Sequence, residues 1–382
     1  MTNTTCPACN HSGQRLGYAV SQIPVNSVRL HHDEASARAA ARGDLSLYGC
    51  VRCGFVWNAE FDAGLIDYSS GYESTQSYSG TYRKFLDQQA VELVEAYNLK
   101  GKTVIEIGCG HGEFLAALCN AGVGHGIGYD PAALVERRPQ IAQGELTIIQ
   151  EAVGPETTLQ QAALIICRNT LEHVPDVAVF VAGIRQALEN QPETPVFIQI
   201  PSWDRVGAEG AFWDIYYEHC SYFSQQSLSG LFEGCGFTVD QCSMTFGGQY
   251  LDLRARASSA KAVDRAVSEI DMTAILSQRQ AWQTYFQTLR DQDRKVVLWG
   301  GGSKAVALLT SIDSQDRVLA AVDINPHKQG CYLPVTGHPV IGPEQLKELE
   351  FDEVLLMNGI YRDEVAADLK RLGVTATLKT FD

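Results

Sequence analysis

The chain has 382 residues, 45% hydrophobic and 20% charged, the composition of a globular protein of two or three domains that each bury a core. A net charge of −15 argues against nucleic acid as the main partner, because that affinity depends on cations facing phosphates. No apolar run is long enough to span a bilayer and the polar start Met1-Thr2-Asn3-Thr4-Thr5 is no signal peptide, so a cytoplasmic protein without a membrane partner is expected.

Near the N-terminus, Cys6-Pro-Ala-Cys9 and Cys50-Val-Arg-Cys53 form two C-x-x-C knuckles with about forty residues between them. Each offers two thiolates to one side of a tetrahedral ion, and together they predict a closed, structural zinc site in a module over residues 1–75. Four free thiols or a redox pair are the alternative. The other seven cysteines are scattered, mostly among apolar neighbours, as small core residues in a reducing compartment are.

Strands and helices alternate from about residue 100. Thr103–Ile107 reads as a first strand, followed by a glycine loop and an amphipathic helix from Glu113 to about Ala121. Gly126–Asp130, Leu146–Glu151, Ala163–Cys167 and a run ending at Ile200 read as four more strands, giving an α/β, doubly wound parallel sheet. In the loop, Gly108, Gly110 and Gly112 let a ligand approach the backbone. Glu106, inside the end of the first strand, can meet a cationic amino group. Asp130, ending the second, can accept both hydroxyls of a ribose, and Glu151, ending the third, can reach an adenine amino group. A cofactor with a ribose, an adenine and an ammonium, but no pyrophosphate, fits all three.

Residues 257 to 291 have helical composition with spaced apolar residues (Val263, Ile270, Ile275, Trp282, Phe286) and predict a helical connector. Lys295 to Lys304 then opens a second strand–loop–helix unit, with Leu319–Asp323 as its next strand. Gly300 and Gly302 with Asp323 about twenty residues on imitate a dinucleotide fingerprint, so a NAD-dependent sugar oxidoreductase is a rival reading.

The densest chemistry lies in Trp213-Asp-Ile-Tyr216-Tyr-Glu218-His219-Cys-Ser-Tyr-Phe-Ser224, just beyond the fifth strand, where open α/β sheets place their ligands. A base among aromatic walls can be tuned toward neutral pH, as proton abstraction requires. A hydrogen-bonded His219–Glu218 pair anchoring a lid is the plainer alternative, and His173 reads as a capping or packing residue.

The glycine loop with its acids, together with Asn169-Thr-Leu-Glu-His-Val-Pro-Asp176 after the fourth strand, resembles the class I S-adenosylmethionine-dependent methyltransferases. The resemblance implies a cofactor pocket lined by Glu106, Gly108, Gly110, Gly112, Asp130, Glu151, Asn169 and Leu171, with Tyr78 and Tyr82 as candidates to close over it. It also implies that Thr238–Phe246 and Gln249–Arg256 are the antiparallel sixth and seventh strands, ending a domain over residues 76–256. The three-part order, with a Rossmann-like domain over 257–382, resembles the sugar C-methyltransferases that act on nucleotide-linked keto sugars. Their Tyr-His-Glu-His-x-Ser-Tyr-Phe-Ser signature stands here as Tyr216 to Ser224, which implies catalytic roles for Tyr216, Glu218 and His219. Two departures are Tyr217 for the first histidine, and Gly247-Gly-Gln-Tyr-Leu251 for Gly-Gly-Ser-Leu-Arg, which loses a cation. Methyl transfer to oxygen is therefore a second reading, and the oligomeric state is open.

Overall fold

A computed structural model describes residues 4–67, 71–154, 157, 159–258 and 269–381, which build three sheets. The first contains β1 (Gly13–Pro24), β2 (Arg42–Cys50) and β3 (Val56–Asn58), with the short helix α1 (Glu34–Arg38) between β1 and β2. Antiparallel pairing sets Gly13 opposite Cys50. The long gap between the knuckles is therefore one hairpin with its connection, and the hairpin folds the two Cys pairs onto each other.

Helix α2 (Gly80–Ala96) leads to the second sheet. Its parallel strands are β4 (Thr103–Ile107), β5 (His125–Tyr129), β6 (Glu145–Ile149), β7 (Ile165–Arg168) and β8 (Val196–Pro201), with α3 (Glu113–Asn120), α4 (Val177–Ala187) and α5 (Trp203–Glu209) following β4, β7 and β8. Next along the chain, β9 (Ser221–Tyr222) leaves this sheet and pairs with β3, setting Val56 opposite Tyr222 and Trp57 opposite Ser221. After α6 (Gln225–Gly234), β10 (Phe237–Thr245) and β11 (Tyr250–Ala257) close the sheet as an antiparallel pair beside β8. The order β10-β11-β8-β7-β4-β5-β6 is that of the class I methyltransferase fold. Strands β4, β7 and β8 are almost wholly buried because elements cover both faces. The polar residues among them are paired: Arg168 donates to Gln199, and Gln199 and Gln89 donate to Asp252.

The third sheet follows α7 (Thr273–Asp291). It comprises β12 (Val296–Trp299), β13 (Val318–Val322), β14 (Val340–Ile341), β15 (Glu353–Leu356) and β16 (Thr377–Thr380), all parallel, with α8 (Ser303–Ser311) after β12 and α9 (Arg362–Leu372) before β16. The anticipated connector is helical over Thr273–Asp291; residue 257 still belongs to β11, Ile270 precedes the helix, and Val263 lies outside the described residues. The helix buries Ile275, Trp282, Phe286 and Leu289 along one apolar stripe. One core joins the first sheet to the third: Tyr18 and Leu45 pack with Trp213, Phe286, Val306 and Phe381.

Candidate active site

The loops at the C-terminal ends of β4, β5 and β7 converge as the fold requires. Gly108 has φ +72°, and a side chain there would collide with Thr170 Oγ1. Gly110 has φ +55° and faces open space, with the nearest atom, on Glu113, 3.8 Å from an added Cβ. Asp130 accepts from the backbone N–H groups of Gly110 (2.8 Å) and Ala132 (2.8 Å), which ties the glycine loop to the end of β5. Burial raises its carboxyl and these two bonds counter that rise.

Glu106 is 2% exposed, and burial pushes its carboxyl up to about 8, countered by Arg168. Its Oε2 and the Oδ1 of Asn169 are buried without a hydrogen-bond partner among the described residues. Asn169 holds φ +48° directly after β7, which neighbours β4. Two orphaned acceptors at adjacent strand ends suit a bound ammonium group. Elsewhere the anticipated residues divide. Leu171 is fully buried in the apolar core and Glu151 is exposed. Tyr78 is 39% exposed and meets the His327 ring edge-on with 6.1 Å between centroids, whereas Tyr82 is buried on α2.

The aromatic segment threads between the sheets. His219 Nε2 lies 3.1 Å from the Tyr216 hydroxyl, and its ring meets His173 edge-on with 4.8 Å between centroids. The His173 Nδ1 lies 3.0 Å from the Glu218 carbonyl oxygen, so His173 holds the backbone beside His219. Burial, the neighbouring His173 and the Lys304 cation hold the His219 imidazolium well below its usual range, and burial drops His173 to about 4. Both imidazoles are thus neutral at pH 7, the form that accepts a proton. The ¹⁵N shifts of His219 are expected to stay those of neutral imidazole as pH falls through 6.5; a midpoint at or above 6.5 contradicts this.

Glu218 does not pair with His219. Its carboxylate accepts from the Ser27 N–H (2.9 Å) and from the Ser27 hydroxyl, and Ser303 Oγ lies 2.7 Å from that hydroxyl. Burial pushes it up to about 7, against these bonds. Glu172, beneath the two histidines, is raised by burial to about 8, and its ligating atoms lie within 4.8 Å of those of His173 and His219.

Both departures from the signature have structural reasons. Tyr217 turns away from His219 into the first sheet, where its hydroxyl accepts from the Asp62 N–H (2.8 Å) and its ring packs on Phe61. Leu251 is a core residue of β11. A cation does stand nearby, but it comes from α8. Lys304 Nζ lies 2.6 Å from Asp214 and 3.4 Å from Gln249 Oε1, and Arg205 also pairs with Asp214. Ser27, Ser303 and Lys304 carried no local signal, because each reaches the segment from a distant part of the chain, whereas Arg205 stands nine residues before Asp214.

At the knuckles, Cys6 Sγ lies 3.6 Å from Cys53 Sγ and Cys9 Sγ 3.5 Å from Cys50 Sγ, and all four sulfurs lie within 4.8 Å of one another. Four thiolates about 2.3 Å from one tetrahedral ion stand about 3.8 Å apart, so the cluster fits zinc.

The C-terminal glycine loop repeats the plan of the first. Asp323 accepts from Gly301 N–H (3.0 Å) and Asn325 N–H (2.8 Å), but it also faces Lys328 Nζ at 3.5 Å. That cation stands where a nicotinamide dinucleotide's ribose needs a free carboxylate.

Comparison with known proteins agrees with this geometry. Residues 79–242 match a family described as "Methyltransferase domain", and residues 272–376 one described as "C-methyltransferase C-terminal domain". The chain is 26% identical to the C-methyltransferase NovU of Streptomyces niveus, covering 94% of this chain and 90% of that protein. Magnesium protoporphyrin IX methyltransferase from Synechocystis overlaps 47% of this chain and 84% of its own, at 16% identity and TM-score 0.37. The 1,6-didemethyltoxoflavin-N1-methyltransferase of Burkholderia thailandensis overlaps 57% and 97%, at 15% identity and TM-score 0.36. Fold and matched domains define an S-adenosylmethionine-dependent methyltransferase. Among the described residues, no helix is long and apolar enough to cross a membrane.

Proposed function

We propose that the protein moves a methyl group from S-adenosylmethionine to a carbon of a small keto compound, a nucleotide-linked keto sugar by the resemblance of its Tyr216–Ser224 signature. The observation that carries this reading is the buried His219 imidazole, 3.1 Å from the Tyr216 hydroxyl in the segment that follows β8 of a methyltransferase sheet. The C-methyltransferase C-terminal domain and the relative NovU support carbon over oxygen as the acceptor.

Glu106 and Asn169 would take the cofactor's ammonium and Asp130 its ribose, with Gly108, Gly110 and Gly112 giving it close approach. When bound, the cofactor supplies an electrophilic sulfonium methyl. His219 removes the proton beside the ketone, and the C–H electron pair becomes an enolate. A hydroxyl such as that of Tyr216 stabilises the enolate oxygen. The enolate carbon would be the acceptor of the methyl group that the bound cofactor supplies, and the proton remains on His219. Glu218, bonded to Ser27, positions His219 through the backbone between them. The Cys6, Cys9, Cys50 and Cys53 cluster holds zinc in a structural role.

This chemistry has a signature without methyl transfer. A nucleotide-linked keto sugar, incubated in deuterium oxide with enzyme and S-adenosylhomocysteine, is expected to exchange its α-proton, observed by ¹H NMR. No exchange with a sugar that the enzyme methylates at carbon would contradict base-first chemistry.

A further inference from the structure

The segment from Glu73 to Ser79, together with Gly80 and Thr81 at the start of α2, touches the elements that follow the glycine loop and Asp130. The Thr75 hydroxyl donates to Glu113 Oε1 (2.9 Å), in the first turn of α3 directly after Gly112. The Glu73 carboxylate, 1% exposed, pairs with Arg137 (2.8 Å), in the turn that follows Asp130. Gln76 donates to the Tyr250 hydroxyl (3.0 Å) on β11. The segment is thus a strap beside the place where the proposed function puts the cofactor.

The other side of the strap is held by the C-terminal domain. Asn325 donates to Glu73 Oε1 (3.1 Å) and the Tyr361 hydroxyl donates to Gln76 Oε1 (3.1 Å). Glu364, on α9, accepts from the Ser79 hydroxyl (2.8 Å) and from the N–H groups of Gly80 (3.3 Å) and Thr81 (3.1 Å). Helix α2 has no acid in its own first turn, so a carboxylate from another domain meets its exposed N–H groups and the positive end of its dipole. Buried Glu73 needs both of its partners, since an unpaired carboxylate there is costly.

We propose that Glu364 and Asn325 are positioning residues for the cofactor, holding the Glu73–Thr81 strap closed beside the glycine loop so that the C-terminal domain sets how tightly the middle domain binds S-adenosylmethionine. This rests on the glycine loop being the cofactor site. Apparent affinity scales with the fraction of molecules whose strap is closed, so loosening the clamp weakens binding without removing a cofactor contact.

Full-length Glu364→Gln and Asn325→Ala are compared with the unaltered protein by S-adenosylhomocysteine calorimetry and by amide hydrogen exchange over residues 73–81. The expected result is a Kd raised roughly fivefold or more, as the loss of a charge-assisted hydrogen bond allows. Faster exchange in residues 73–81 should accompany it, with kcat at saturating cofactor little changed. An unchanged Kd, or a weaker Kd with unchanged exchange in the strap, overturns the proposal. Should one variant fail to fold, the other tests the opposite end of the strap. If the unaltered protein itself binds no S-adenosylhomocysteine, the cofactor assignment fails, a distinct outcome.

Discussion

Replacing His219 with asparagine is expected to lower kcat by roughly 10²–10⁴-fold, the usual contribution of a positioned general base. Affinity for S-adenosylhomocysteine should stay near that of the unaltered enzyme, because the groups assigned to the cofactor are Glu106, Asn169 and the glycine loop, whereas the imidazole meets Tyr216 and His173. Asparagine keeps a polar side chain in a buried position, so the fold should survive. Turnover and calorimetric binding, measured on the same preparation, separate the two effects. Full activity in the variant removes His219 from the chemistry. A parallel loss of cofactor binding makes it a structural residue, like its neighbour His173, which holds the Glu218 carbonyl.

The second large effect is expected at a distance from the chemistry. Serine at Cys50 takes away one ligand of the proposed zinc ion, whose binding contributes on the order of 10 kcal/mol to folding in small zinc modules. Metal analysis should show zinc lost from the variant, and the melting temperature should fall. Methyl transfer should fall with it, because β9 pairs with β3 and the Asn58 N–H donates to the Cys220 carbonyl, so the Tyr216–Ser224 segment hangs on the cysteine-bearing sheet. Ser27, which binds Glu218, belongs to the same sheet region. A Cys50→Ser protein that keeps full activity and stability without metal would show the four sulfurs to be packed thiols.

Two parts of the molecule therefore act on the site from outside the methyltransferase sheet. The first sheet carries the backbone of the Tyr216–Ser224 segment. The C-terminal domain brings Lys304 to Asp214 and Ser303 to Ser27. Burial of these charges is tolerated because each has a partner of opposite sign, Asp214 being shared by Lys304 and Arg205.

Local patterns in the chain determined the elements themselves. Thr103–Ile107 and Val196–Ile200 read as strands because both faces are covered, and the glycine loop with Asp130 read as a ligand loop because backbone approach and a strand-end acid are local features. The paired cysteines read likewise, since a knuckle is a four-residue motif. Tertiary structure alone decided which groups meet. That Glu218 answers to Ser27 and not to His219, that Tyr217 serves packing, and that the nearby cation is Lys304 are facts about residues up to hundreds of positions apart. Hydrogen bonds and ion pairs act over a few ångströms of space, and chain position fixes that distance only within one strand or one turn. The connector helix shows the same limit: spaced apolar residues mark Thr273–Asp291 as a helix, but only the tertiary structure decides that Trp282 and Phe286 pack against the third sheet.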